Sequence, residues 1–250
     1  MSSPPNDPSD GQVSSKVAGY GLFMLTLVYA FNFVDRQILV ILQEPIKNEM
    51  GLSDAQLGLL SGFSFALVYI TAGIPIAYWA DRSNRRNIIT VALAVWSGMT
   101  ALSGLAQNYT QLLLARIGVG IGEAGGSPPA HSMISDYYPP EKRATAMAIY
   151  TMGVHLGILM GLVVGGIVSQ IYGWRVAFFS VGIPGVLLAG VFFFTVREPA
   201  RGRWDSAVAA VAKPSFKETM APLASVRTCW YVALGAGLAS CGGCGPGPVA

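Results

Sequence analysis

Charged side chains are scarce in this 250-residue chain, where they make up 12% of the residues, about half the usual share in soluble proteins. Hydrophobic residues make up 52%. Because so few charges cannot cover a water-soluble surface, we expect most of the chain to lie in lipid. The net charge is only +3, and the sequence has no basic run with interleaved aromatic residues. Nucleic acid is therefore not expected among its partners.

Cysteine and histidine are also scarce, with three and two residues respectively. His131 and His155 have no second ligand at metal-binding spacing, and the pair Cys241 and Cys244 has no matching second pair. Serines follow His131, but no nucleophile elbow accompanies them. We therefore predict no cofactor, no metal site and no enzymatic activity.

Long apolar runs separated by short polar segments occupy most of the chain after Lys16. Each run has about 19 to 27 residues, enough to cross a hydrocarbon core of about 30 Å as a helix. The runs do not alternate and are far longer than a barrel strand of about ten residues, which excludes a β-barrel. The sequence predicts an all-α membrane protein with six transmembrane helices, at 18–43, 55–80, 88–106, 111–135, 145–171 and 174–196.

The distribution of Lys and Arg predicts the orientation of these spans. Twelve of the 16 basic residues fall in segments on one side, two fall on the other side, and Arg36 and Arg116 fall within spans. Basic residues favour the cytoplasmic side of a membrane. Both ends of the six-helix unit are therefore predicted to face the cytoplasm, in a plasma (inner) membrane.

Composition divides the chain into four predicted parts. Residues 1–15 are polar and predict a disordered cytoplasmic tail, and residues 16–197 hold the six-helix bundle. Residues 198–227 predict a cytoplasmic linker. The apolar run that follows has only about twelve residues, too few to span a bilayer. Residues 228–250 therefore predict an incomplete seventh helix and an atypical tail, as in a fragment or a shifted reading frame.

The loop between the second and third spans carries one acid and three arginines, Asp81, Arg82, Arg85 and Arg86. A bias of basic residues toward the cytoplasm explains the arginines but not the acid at the helix end. The loop resembles the signature of the major facilitator superfamily, G-x-x-x-D-R-x-G-R-R/K, with Ala77 and Asn84 in place of its two glycines. Asn tolerates the left-handed conformation that such a turn can require. The resemblance implies that the four charged residues form a cytoplasmic gate.

Charged residues also lie inside the first and fourth spans. Arg116 and Glu123 are seven residues apart and so share one helix face. Burying each charge mid-bilayer costs roughly 2.5–3.5 kcal/mol, so an unused charge is disfavoured. Asp35 lies at a depth similar to that of Arg116, which suggests a salt bridge between helices 1 and 4. The alternative is a local pair in which Arg36 reaches outward.

The Asp35–Arg36 pair together with Arg116 and Glu123 resembles the Spinster-like branch of the superfamily, over about residues 18–199. This resemblance implies that the four residues form a proton-coupling site or a substrate cavity. Asp35 is predicted to be the protonatable group, because protonation would release its pair with Arg116. Glu123 is predicted either to accept a proton or to face the substrate.

Glycines recur at about four-residue steps in the fifth span and predict a helix-packing seam made of Gly157, Gly161, Gly165 and Gly166. The same stretch resembles an antiporter motif of the superfamily, with Leu162 where that motif has proline. The glycines of the fourth span formally match G-x-G-x-x-G, but they lie inside a lipid-length helix with no βαβ unit around them. We therefore assign those glycines to close helix packing as well.

The resemblance implies the N-terminal half of a 12-helix major facilitator fold, with six helices arranged as two inverted three-helix repeats. The expected function is secondary active transport of an organic or lipid-like solute, coupled to protons by alternating access. The expected partners are the solute, protons, the lipid bilayer, and a missing C-terminal half or a second six-helix chain. The alternatives are a half-transporter that needs a partner chain and a non-transporting membrane receptor or scaffold.

Overall fold

The computed structural model describes residues 14–80 and 82–204, which fold as helices joined by short turns. The predicted incomplete seventh helix (228–250), Asp81, nearly all of the predicted tail and most of the predicted linker lie outside the described residues. The helices are α1 (Ser15–Met50), α2 (Asp54–Gly58), a π-helical turn (Leu59–Phe63), α3 (Ser64–Ala80), α4 (Arg85–Ser103), α5 (Tyr109–Ala124), α6 (Ser127–Tyr137), α7 (Pro140–Tyr172) and α8 (Trp174–Thr195).

Helix α1 is longer than the predicted first span of 18–43. It has 36 residues and is therefore about 54 Å long. The prediction ended too early because Gln, Glu and Lys follow the apolar run, yet these residue types are good helix formers in water. The helix ends at Gly51, whose φ of 65° is left-handed and whose N–H bonds to Lys47 O.

The second and fourth predicted spans are interrupted. The second contains the π-helical turn Leu59–Phe63 between α2 and α3. The fourth is divided at Gly125 and Gly126, which separate α5 from α6. Pro128 and Pro129 follow this break, and because proline has no backbone N–H, neither can continue the hydrogen bonding of α5. The expectation of one continuous fourth helix was therefore wrong.

Among the described residues, the helices α1, α7 and α8 are long and apolar enough to cross a membrane by length and composition. Shorter helices cover the remaining predicted spans. The helical fold is thus confirmed, while the count of six spans stays a prediction.

The glycines of α7 pack against α1. A Cβ atom added at Gly153 would lie 2.7 Å from Thr26 O, and one added at Gly161 would lie 2.9 Å from Gln37 Cβ. Gly157 faces Ala30 O even more closely, and Gly165 would meet Ile41 at 3.2 Å. Gly166 differs from the rest of the predicted seam, because a Cβ there would have no described atom within 4 Å. It faces away from α1 because one residue step rotates by about 100° around a helix.

Candidate functional site

Three charged side chains are buried between α1 and α5. Asp35 is 0% exposed, Arg116 3% and Glu123 1%. Arg36, which is less buried, donates a hydrogen bond from Nε to Glu123 Oε2 at 2.7 Å. A salt bridge therefore does join the first and fourth predicted spans, which are α1 and α5 in the structure, and it is made by Arg36 and Glu123.

The predicted Asp35–Arg116 salt bridge is not formed. Across the described part of the chain, neither carboxylate oxygen of Asp35 accepts a hydrogen bond, and Nε and Nη2 of Arg116 find no acceptor. The two groups are close enough to act on each other electrostatically. Sequence places a residue by depth along a helix but does not fix how the helix is rotated. Neighbouring residues point about 100° apart, and here Arg36 rather than Asp35 is turned toward Glu123.

A cavity of about 340 Å³ lies beside this cluster. Its polar lining comprises Arg36, Gln37, Ser61, Arg116 and Glu123. The rest of the lining is apolar and consists of Phe33, Leu39, Val40, Leu60, Val119 and Ile158. A mostly apolar pocket with a few converging charged groups is the usual form of a small-molecule site. Asp35 is fully buried behind this surface and does not line the cavity.

Arg85, the first residue of α4, is a buried residue of the predicted gate with several hydrogen bonds. It is 1% exposed, its Nε donates to Glu198 Oε1 at 2.7 Å, and its Nη2 donates to Pro199 O at 2.9 Å. Its Nη1 donates to Ser132 Oγ at 2.8 Å and to Asp136. The guanidinium thus joins the loop after α3, the end of α6 and the segment after α8.

Arg82 and Arg86 of the predicted gate lie nearer the surface, and Asp81 lies outside the described residues. Arg82 is exposed and stacks on Tyr78, with 3.6 Å between the guanidinium carbon and the ring centre. The backbone N–H of Arg86 donates to Glu198 Oε2 at 2.8 Å. Asn84 has φ −65° and caps α4 by accepting from Asn87 N, so the expected left-handed turn at this position is absent.

The segment after α8 crosses the same end of the bundle. Arg201 donates to Ala80 O at 2.7 Å and to Ser83 O. Gly202 N donates to Asp136 Oδ1, and Trp204 Nε1 donates to Asp136 O, both at 3.1 Å. We define Arg197–Trp204 as the strap, because it ties the α3–α4 loop to the end of α6.

Sequence reasoning missed Asp136 and Glu198 as parts of this cluster. A usable signal existed, because the chain has only 13 acidic residues and these two come just after the fourth and sixth predicted spans, at the predicted basic face. Acids at that face are natural partners for its arginines.

Residues 25–243 match the profile of the Major Facilitator Superfamily. The chain belongs to this superfamily. An "MFS-type efflux pump" of Mycolicibacterium smegmatis is 35% identical, over 83% of this chain and 51% of that protein. "Protein spinster" of Drosophila melanogaster is 26% identical, over 79% of this chain and 34% of that protein.

Solved structures of the superfamily agree with the helical fold. The unoccupied inward-facing crystal structure of a bacterial homolog to the human lysosomal transporter Spinster is 43% identical, with a TM-score of 0.78. The match covers 89% of this chain and 52% of that one. The resemblance to the Spinster-like branch is thereby confirmed.

The chain spans about half the length of the first curated relatives that it matches, 51%, 41% and 42% of each. Those relatives are named as transporters or pumps, which at the level of the superfamily speaks against an enzyme. Membership of the superfamily and the apolar helices indicate a multi-pass integral membrane protein.

Proposed function

We propose that the chain forms one half of a secondary active transporter, which moves an organic or lipid-like solute by alternating access and is coupled to protons. The cluster of buried Asp35, Arg116 and Glu123 with the partly exposed Arg36, beside the cavity, carries this proposal. Charges inside a membrane protein are costly and commonly mark solute or proton pathways. The transporters among the relatives support the same reaction class.

Asp35 is proposed as the proton-coupling residue. Its carboxyl group accepts no hydrogen bond from the described residues, and it lies near a guanidinium group whose Nε and Nη2 likewise lack acceptors. Such a carboxyl group can gain or lose a proton without breaking a hydrogen bond. The change in charge would alter its attraction to Arg116. Glu123 is instead engaged by Arg36 and is proposed to hold that guanidinium at the cavity wall.

The cavity lining favours a solute that carries a negative group on an apolar body. Arg36 and Arg116 supply two positive charges against the single carboxylate of Glu123, and most other lining residues are apolar. Guanidinium groups bind carboxylates and phosphates in a bidentate manner. One relative in Escherichia coli is named a probable L-galactonate transporter, and its named solute is an organic anion.

The cytoplasmic cluster is proposed as the gate, with Arg85 at its centre. Asp81, Arg82 and Arg86 are proposed to belong to the same gate, because they share the loop signature with Arg85. The paired arrangement of Arg85 with Asp136 and Glu198 would hold the helix ends together while that side is closed. These ion pairs would have to break before the cytoplasmic side could open, and buried ion pairs resist separation.

A second six-helix half would complete the central cavity, supplied either by the remainder of a longer chain or by a separate chain. The observation that favours a second half is that this chain spans about half of its relatives. Uptake by cells that express the chain alone, and by cells that also express a C-terminal half, tests this point. Uptake that needs both supports it, and equal uptake by the chain alone contradicts it.

An Asp35→Asn variant tests the coupling. In proteoliposomes of the full-length protein, this variant should lose solute uptake driven by a pH gradient while keeping solute exchange without a gradient. Asp54→Asn is a matched control, because the Asp54 side chain is 87% exposed. Undiminished gradient-driven uptake by Asp35→Asn would exclude the assignment, and loss of both activities would indicate a binding role instead.

A further inference from the structure

A small cavity lies at the break between α5 and α6, apart from the large one. Its lining comprises Leu25, Val28, Tyr29, Asn32, Trp96, Gly126, Ser127, Ala130 and Tyr150. The space open to the centre of a water molecule is about 10 Å³. A cavity needs roughly 10–15 Å³ of such space to hold one water, so this one has room for a single molecule.

The polar groups around this cavity match the needs of water. The Trp96 side chain is 0% exposed, and its indole N–H finds no acceptor within residues 14–80 and 82–204. A buried donor left without a partner costs roughly 1–3 kcal/mol. Asn32 and Ser127 add an amide and a hydroxyl group at the same lining, so two to four polar partners are within one cavity.

We propose that one ordered water occupies this cavity, where it accepts from the Trp96 indole N–H and donates to Asn32 and Ser127. A cation does not suit the site, because the indole contributes a donor and no acceptor. The water joins α1, α4 and α6 at the point where the fourth span is broken. It also orients Asn32, which lies next to Glu123. This last link rests on the proposed transport function, whereas the water site itself does not.

Replacing Gly126 with alanine tests for a water in this cavity, and the nuclear magnetic resonance experiment below separates that effect from the cost of alanine at a helix N-cap. A Cβ at Gly126 would lie 3.4 Å from Glu123 O and 3.4 Å from the Trp96 ring, which is ordinary contact, and the backbone there is right-handed. The new methyl group would therefore fit, and it would reduce the space in the cavity that Gly126 lines. Filling a dry void stabilises a protein, but displacing a hydrogen-bonded water leaves its partners unpaired and destabilises it.

Thermal unfolding of Gly126→Ala is compared with that of Gly98→Ala, a control in α4 where a Cβ would meet nothing within 4 Å. We expect the melting temperature of Gly126→Ala to lie about 2–4 °C below that of the control. A melting temperature equal to or above that of the control would overturn the proposal.

A direct measurement uses nuclear magnetic resonance of the protein with ¹⁵N-labelled tryptophan. The chain has only five tryptophans, and Trp96→Phe identifies the indole signal of Trp96. We expect that signal to show a cross-peak to water in the wild type and in Gly98→Ala, and to lose it in Gly126→Ala. An indole signal without a water cross-peak in the wild type would exclude the site, independently of any transport activity.

Discussion

Two arginines in this structure are equally buried but differ in how their nitrogens are paired. Arg85, the first residue of α4, donates hydrogen bonds from Nε, Nη1 and Nη2 to two carboxylates, a hydroxyl group and a carbonyl oxygen. Arg116, in α5, has no acceptor among the described residues for Nε or Nη2. Burial alone therefore does not reveal what a charge does. A fully paired group resists change, whereas an incompletely paired one is free to exchange partners.

The largest effect is expected when the paired arginine is removed. Arg85→Met would remove the cation that pairs with both Asp136 and Glu198, and breaking one side of a buried pair costs about 3–5 kcal/mol. Such a loss lowers the melting temperature by on the order of 10 °C. Arg82→Met serves as the control, because Arg82 is exposed and lies in the same loop. Equal melting temperatures for the two variants would contradict the distinction.

The unpaired arginine should behave in the opposite way. Arg116→Met replaces a buried cation by an apolar side chain of similar length. Because Nε and Nη2 of Arg116 have no acceptor among the described residues, the change loses fewer hydrogen bonds than Arg85→Met. We expect a drop in melting temperature less than a third of that for Arg85→Met, together with loss of gradient-driven uptake in the full-length protein. Melting curves and proteoliposome uptake on the same preparations check both. A variant that unfolds as readily as Arg85→Met would remove the contrast.

The Arg36–Glu123 pair provides an intermediate case, because its arginine side chain is 35% exposed and its glutamate 0%. A double-mutant cycle with Arg36→Met and Glu123→Gln should give a coupling free energy of about 1–2 kcal/mol. The cycle for Lys47 and Asp54, which pair at 2.6 Å in water, should give a smaller value. A larger coupling free energy for Lys47 and Asp54 than for Arg36 and Glu123 would contradict the prediction. Burial would then not determine the strength of these pairs.

The smallest effect is expected at the far end of α1, beyond the first predicted span. Hydrogen bonds from Arg175 and Trp174 hold the pKa of Glu49 below its usual range. A lowered folded-state pKa stabilises the fold above the pKa of unfolded Glu, about 4.3, and this contribution is lost as the pH falls through the lower folded value.

Glu49→Gln should therefore lower the melting temperature slightly at pH 7 and leave it unchanged near pH 3. Glu44→Gln, one turn earlier on the same helix, is the control. The effect is small because the Glu49 side chain is 49% exposed, and solvent weakens such pairs. A larger loss of melting temperature at pH 3 than at pH 7 would contradict the expected direction of the pKa shift.

Several elements of the site were predicted by sequence alone because they depend on chemistry at a position. Asp35, Arg116 and Glu123 stand out since charges are rare inside apolar runs, and all three are buried as expected. Arg85 stands out by the signature of its loop. The pairing of these residues was not predicted, because Arg36 bonds to Glu123 while the carboxylate of Asp35 accepts no hydrogen bond from the described residues.

Other elements depend on residues that are far apart in the chain. Arg85 and Glu198 are separated by 113 positions, and no local pattern connects them. Pro128 and Pro129, which follow the break at Gly125, are a partial sequence signal for it. The apolar length of the fourth span nevertheless favours one continuous helix. The isolated position of Gly166 also needed the structure, because only packing shows which glycines face a neighbour.

The sequence by itself determined that this chain is helical, apolar and a member of a transporter superfamily. Hydropathy, the spacing of charges and the loop signature are properties of the order of residues, and they do not require a neighbour. Only the tertiary structure decided which charges meet, because pairing depends on how each helix is rotated and on which segments cross its ends. That is why Arg85 is fully paired while Arg116, equally buried, retains nitrogens without a partner among the described residues.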